Sequence, residues 1–397
     1  MVTILEGGTV QPRLPAVRSI LHGFAQRTGL EGEGAPQHRY LWTDAFAVCT
    51  FLALYRATGE AGELESALRL IDAVHGTLGR HRPDDVRHGW ISGLGEVEGP
   101  AHPTRGGLRI GKPLPERSPL APFDERREWE RDGQYFHYLT KWMHALRCAA
   151  RDADDPRYLA WAIELARAAH TGFVTRPSRD GPLRMVWKAS IDLSRPLVPV
   201  QGAQDPLDGL LTLRELRDAA LARGWRQEEV ALDGAIADLR ALCQPAAWGT
   251  IDPLGVGGLL HDAYRLAQLD DDGQGDLAWL PLLVELGSAG VTAIAQAGLL
   301  RRPAEERLAF RELGLSIGLH AARRLAQRVE RGTLPEAVTG PLERALALLR
   351  PFVPLAESIE AFWSQPQNQE ATTWREHLDI DAVMLATSRL PAGFLEP

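Results

Sequence analysis

The chain has 397 residues, a formal net charge of −8, 45% hydrophobic residues and 24% charged ones. That balance is ordinary for a globular protein and lacks the clustered excess of Lys and Arg that binds nucleic acid. No run of 18 or more apolar residues stands out as a membrane span, and the start, MVTILEGGTVQPRLP, lacks the basic and long apolar regions of a secretory signal. The three cysteines, Cys49, Cys148 and Cys243, lie far apart inside helical patterns. The expectation is reduced thiols buried as small hydrophobes in a cytoplasmic protein that contacts neither membrane nor nucleic acid.

Helical periodicity is nearly continuous. Helices are predicted at 14–28, 40–58 and 61–79. A long loop, 80–131, precedes helices at 133–152 and 156–174. A second loop, 175–204, holds the one strand candidate, 183–193, as a short hairpin or an extended stretch. Helices at 206–222, 226–243, 253–268, 276–299 and 304–329 follow, then 336–363 (broken near Pro351 and Pro354) and 374–389.

These segments pair, and the pairs alternate in character. One set has a clear apolar stripe, as in LESALRLIDAV and YLAWAIELARAA. The other is more apolar or carries internal glycines, as in DPLGVGGLLHDAY and FRELGLSIGLHAA. Glycine inside a helix costs about 0.5–1 kcal/mol relative to alanine, so it belongs where helices approach closely. This alternation resembles the (α/α)6 toroid of the six-hairpin glycosidase-like enzymes. The resemblance implies an all-α ring of about twelve helices spanning 1–397 as one domain, with both long loops on one end, where the inner helices begin.

In such a ring the starts of the inner helices converge. In this ring Asp132, Gln134, His137 and Lys141 line the mouth of a cavity, Tyr135 joins them as a substrate contact, and His144, two turns deeper on the same stripe, is structural. Asp44 interrupts an apolar run, where a carboxylate needs a partner or a polar hollow. Asp205-Pro206 and Asp252-Pro253 read as N-cap and N1 pairs, and Asp208 as a first-turn acid. In REHLDIDAV, Glu376, His377, Asp379 and Asp381 fall on adjacent turns, with His377 and Asp381 at i, i+4. Glu312, Ser316 and His320 form another stripe. The loops add Trp90, Trp129, Arg105, Arg109, Trp187, Lys188 and Asp192 as candidates to stack on or hydrogen-bond a sugar.

No cofactor or metal is expected. Zinc-spaced Cys/His sets, helical Asp-Asp-x-x-Asp, the EF-hand register at 269–275, a dinucleotide fingerprint and a nucleophile elbow are all absent from the sequence. What the resemblance implies is a small-molecule carbohydrate substrate, and three readings stay open. The leading one is glycoside hydrolysis by a carboxylate pair, Asp132 with Asp44, with Asp208 or Asp379 as substitutes. The second is a sugar isomerase or 2-epimerase using His137, His320 or His377. The third is a sugar-binding or scaffold protein without turnover. The oligomeric state is not legible.

Overall fold

The computed structural model describes residues 13–32, 38–176, 181–226, 230–269 and 273–396. The expectations about the first twelve residues, the start of the helix at 226–243 and the acidic turn at 270–272 lie outside the described residues.

Six helices form an inner ring: α2 (Leu41–Thr58), α4 (Phe136–Asp152), α6 (Asp205–Ala222), α8 (Pro253–Leu266), α10 (Ala309–Glu330) and α13 (Leu378–Arg389). Each packs on the next, and α13 packs back on α2, so the ring closes. The outer helices are α1 (Leu14–Arg27), α3 (Ala61–Leu78), α5 (Pro156–Phe173), α7 (Asp233–Leu242), α9 (Trp279–Gln296), α11 (Glu336–Leu349) and α12 (Leu355–Trp363). Here α3 packs on α2, α5 on α4, α7 on α6, α9 on α8, α12 on α10, and α1 on α13. The expected helix at 336–363 breaks after Leu349 into a 3-10 turn and then α12, where Pro351 and Pro354 interrupt the backbone ladder. The architecture is an all-α (α/α)6 toroid.

Burial separates the two layers. Every residue from Leu41 to Leu54 of α2 is buried, as an inner helix enclosed by neighbours requires. In α3 the buried positions are Glu63, Ser66, Ala67, Leu70, Ile71, Val74, His75 and Leu78, a stripe at helical spacing. The helix-internal glycines sit at the tightest contact. A Cβ on Gly257 of α8 would collide with the Gly314 carbonyl of α10, and one on Gly318 with the Gly257 backbone.

The segment Asp276–Gln296 has a mean hydropathy of 1.6 and is long and apolar enough to cross a membrane by length and composition, unlike the sequence expectation. In the ring it forms α9, packed between α8 and α11. Gly287 and Gly290 let it approach Leu260 and Val256.

The two long loops form one layer over the N-terminal ends of α4 and α6. No self-contained hairpin spans 183–193. Instead β1 (Gln134–Tyr135) pairs with β4 (Lys188–Ala189), which pairs with β5 (Pro196–Val198), while β3 (Arg184–Met185) pairs with β2 (Val174–Thr175) at the end of α5. The first loop reaches across to the second through Arg87, which pairs with Glu116 of its own loop at 2.6 Å and with Asp192 of the second at 3.0 Å. Arg117 adds Glu128 at 2.9 Å and the Leu197 carbonyl at 2.8 Å.

Candidate active site

A cavity of about 940 Å³ opens at the N-terminal ends of the inner helices. Every inner helix contributes near its start: Asp44 from α2, His137 and Lys141 from α4, Asp205 and Asp208 from α6, Asp252 before α8, Arg311 from α10, and His377 with Asp379 at α13. Its size lies in the range of small-molecule sites. Tyr135, Tyr138, Trp42, Trp129 and Trp187 wall one side. Trp187 lies 4.8 Å from Tyr135 and stacks on His137 at 5.8 Å with 17° between the planes. Flat apolar faces with polar edges suit pyranose rings, which carry C–H groups on one face and hydroxyls at the rim.

The carboxyls in this cavity differ in environment. Asp44 is buried; Oδ2 accepts the Tyr40 N–H at 3.0 Å and Oδ1 lies 3.4 Å from Arg39 Nη1. Burial outweighs the Arg39 attraction and pushes its carboxyl up to about 7. Asp208 lies the other way. It accepts from Lys141 Nζ at 2.8 Å, Arg265 Nη1 at 2.7 Å and Thr140 Oγ1 at 2.5 Å. These contacts overcome its burial and hold the carboxyl well below the usual range. Arg265 also grips Glu215 at 2.9 Å through both oxygens and Asp262 at 3.1 Å, forming a buried hub at the cavity base. Burial, with Asp208 beside it, raises Asp262 to about 7.

Between these lies an open pair. His137 Nδ1 and Asp205 Oδ2 are buried, neither has a hydrogen-bond partner, and they face each other at 3.8 Å. That distance is too long for a direct hydrogen bond. Neither atom has a protein hydrogen-bond partner.

No family model matches the chain, and no curated protein does. Among solved structures, a cellobiose 2-epimerase from Spirochaeta thermophila DSM 6192 is similar at 13% identity, covering 95% of this chain and 98% of that chain with a TM-score of 0.46. A cellobiose 2-epimerase from Bacillus thermoamylovorans B4167 is similar at 12% identity, covering 86% and 88%, with a TM-score of 0.44. An unsaturated glucuronyl hydrolase specific for heparin is 12% identical over 71% of this chain and 84% of that chain, with a TM-score of 0.33.

Of the residues singled out in the sequence, the cavity brings together Asp44, Trp129, Tyr135, His137, Lys141, Asp208, His377 and Asp379. It leaves out Asp132. That carboxylate is fully buried and saturated by Arg109 at 2.6 Å, Arg82 at 3.3 Å and the N–H groups of Gly111 and Gly133, each at 3.0 Å. It ties the first loop to the start of α4 and has no oxygen to offer a substrate, so the pairing of Asp132 with Asp44 is corrected. Gln134 is likewise a buried clamp, accepting from Leu108 N at 2.8 Å and donating to the Ile191 carbonyl at 2.6 Å. It precedes the first turn of α4, so it does not continue the His137–Lys141 stripe.

Several loop candidates also lie elsewhere. Lys188 is buried against Glu128 at 3.0 Å, and Arg109 is consumed by Asp132. Trp90 packs beneath Gly99 with the Arg80 guanidinium 5.0 Å from its ring. Arg105 and Asp192 line a separate surface groove, where Asp192 also accepts from Ser190 and Ser194. Glu312 is bound by Arg307 and by Trp363 Nε1 at 2.8 Å, joining α10 to α12, and His320 pairs with Glu360 at 2.7 Å beside it.

The stretch REHLDIDAV is not one helix. A short helix, Thr372–Glu376, ends and α13 begins after His377, whose Nδ1 bonds the Thr373 carbonyl. The His377–Asp381 pair therefore does not form, and Asp381 instead accepts the Phe310 N–H at 2.8 Å. Asp252 caps α8 through the Gly255 N–H at 3.0 Å, as expected. Asp205 does not cap: Gln204 holds that position and Asp205 sits one residue inside α6, which is why its oxygen is spare.

The cavity also holds Asp262, His261, Arg311 and Trp248, which sequence reasoning passed over. The signal available for the first two was a polar His-Asp pair in the middle of the apolar, glycine-bearing helix DPLGVGGLLHDAY.

Proposed function

We propose that this chain is a carbohydrate-active enzyme of the glycoside hydrolase type. The observation that carries this reading is the coexistence, in one aromatic-walled cavity, of a carboxyl that keeps its proton near neutrality (Asp44) and a buried carboxyl with a free oxygen (Asp205). A carboxyl that keeps its proton near neutrality suits the acid role. Asp44 donates its proton to the glycosidic oxygen as the C–O bond breaks. Asp205 takes a proton from a water that attacks the anomeric carbon, and His137 beside it holds that water or a sugar hydroxyl. Lys141 and Arg265 keep Asp208 ionised, and its negative charge favours the oxocarbenium-like transition state.

A second reading rests on a different observation. His137 has a free ring nitrogen and shares the cavity with His261 and His377, so a proton can be removed next to a sugar carbonyl by imidazole. That is isomerase or 2-epimerase chemistry.

One assay separates them. Wild type, Asp44→Asn and His137→Ala are incubated in D2O with oligosaccharides and with free reducing sugars. Hydrolysis releases new reducing ends and is lost in Asp44→Asn. Epimerisation or isomerisation leaves the number of reducing ends unchanged and places deuterium on the carbon beside the carbonyl. Sugar binding with neither product, across the set, would reject the enzyme reading in favour of a binding protein.

A further inference from the structure

Beneath the cavity floor the ring brings Cys49, distant in sequence, against His144 and Cys148. His144 and Cys148 lie at i, i+4 on α4 and share a face. That face meets α2 at Cys49. The two sulfur atoms and a ring nitrogen of His144 all lie within 4.8 Å of one another, and all three residues are buried.

The imidazole is already set for ligation. His144 Nε2 lies 2.9 Å from the Phe394 carbonyl oxygen. A carbonyl only accepts, so Nε2 carries the proton and Nδ1 presents a lone pair. That Nδ1 is buried, has no nitrogen or oxygen partner and faces the Cys148 thiol. Ring N–H to backbone carbonyl on one side, bare nitrogen on the other, is the tautomer a metal-bound histidine adopts. The Cys148 sulfur is 3.9 Å from the Gly393 carbonyl, which supplies a further oxygen donor at the same place.

We propose that Cys49, Cys148 and His144 form a binding site for one soft divalent cation of the zinc class. Two thiolates cancel the charge of a divalent ion, which suits a site with no solvent contact. Sulfur and imidazole select zinc over the oxygen-seeking magnesium and calcium. Zinc–sulfur bonds of about 2.3 Å in a tetrahedron place ligand atoms about 3.8 Å apart, so the observed spread closes with a movement of about 1 Å. Binding forms the metal–ligand bonds and releases the two thiol protons to water, with no change of oxidation state.

The ion would join α2, α4 and the C-terminal segment. Phe394 in that segment lines the cavity floor, stacked on Phe46 at 4.4 Å and lying 4.6 Å from the His261 ring. The site is thereby mechanically tied to the base of the cavity, and it stands whether or not the hydrolase reading does.

The test uses the full chain, produced with zinc in the medium and freed of loose metal by gel filtration with a weak chelator. Elemental analysis is expected to find about one zinc per chain in wild type and in Cys243→Ser, and a loss of at least about tenfold in Cys148→Ser and His144→Ala. Cobalt added to the stripped wild-type chain is expected to give thiolate-to-metal charge-transfer absorption in the near ultraviolet. Should the variants fail to fold, these two wild-type measurements decide alone. Wild type with less than about 0.1 equivalent of zinc and no cobalt–thiolate band overturns the proposal. So does a Cys49–Cys148 disulfide found by mass spectrometry of the unreduced chain.

Discussion

The loop layer around Asp132 and the cavity wall around His137 and Asp205 are both buried, polar and rich in charge, yet they differ in one respect. Both Asp132 oxygens are engaged, by two guanidiniums and by backbone N–H groups. His137 Nδ1 and Asp205 Oδ2 have no partner at all. A saturated buried charge holds structure, because removing either partner strands the other. A buried polar atom left open costs stability, and here two of them face each other at 3.8 Å beside the cavity.

The largest effect that would break this contrast is catalytic. Asp205→Asn is expected to lower turnover about 10²–10⁴-fold while changing stability by less than about 1 kcal/mol, since the Oδ2 atom makes no hydrogen bond to lose. Steady-state rates and urea unfolding on the same preparation check both halves. Asp132→Ala should do the reverse, costing about 3–5 kcal/mol in urea unfolding by stranding Arg109. If that variant were fully stable but inactive, Asp132 would return to the catalytic list and the contrast would collapse.

The pH dependence of Asp44 sharpens the cavity side. Its carboxyl is raised from the ordinary 3.8 to about 7 by burial. Between those values the unfolded chain has lost a proton that the folded chain keeps, so stability falls as pH rises from about 4 to 7. Asp44→Asn should be flatter over that window, with a difference of a few kcal/mol at most, measured by unfolding at each pH. In the hydrolase reading, wild-type turnover also declines above about 7 as the acid loses its proton.

A packing variant tests the ring itself. Gly257→Ala drives a methyl group into the Gly314 carbonyl and should cost about 1–3 kcal/mol, lowering the melting temperature. The smallest effect belongs to the rim. Arg27 and Asp379 pair at 2.9 Å with each side chain 37% exposed, so Arg27→Ala should change stability by about 0–1 kcal/mol.

The sequence by itself determined the alternation of helices, the position of both long loops and the glycines at the α8–α10 contact. Those features are written in local periodicity and composition, which a single chain displays without its neighbours. It also pointed to Asp44, because a carboxylate inside the apolar stretch from Leu41 to Leu54 is costly anywhere in a fold. The tertiary structure alone decided which polar groups were already spent. Asp132 and Asp205 both stand near the start of an inner helix and look alike in the sequence. The distant Arg82, Arg109 and Gly111 saturate the first, and the backbone register that makes Gln204 the cap leaves the second free. The meeting of Cys49 with His144 and Cys148 is of the same kind, a contact between α2 and α4 that no spacing within the chain encodes. Hydrogen-bond saturation and cross-helix contact depend on partners far away in sequence, so they exist only once the ring has closed.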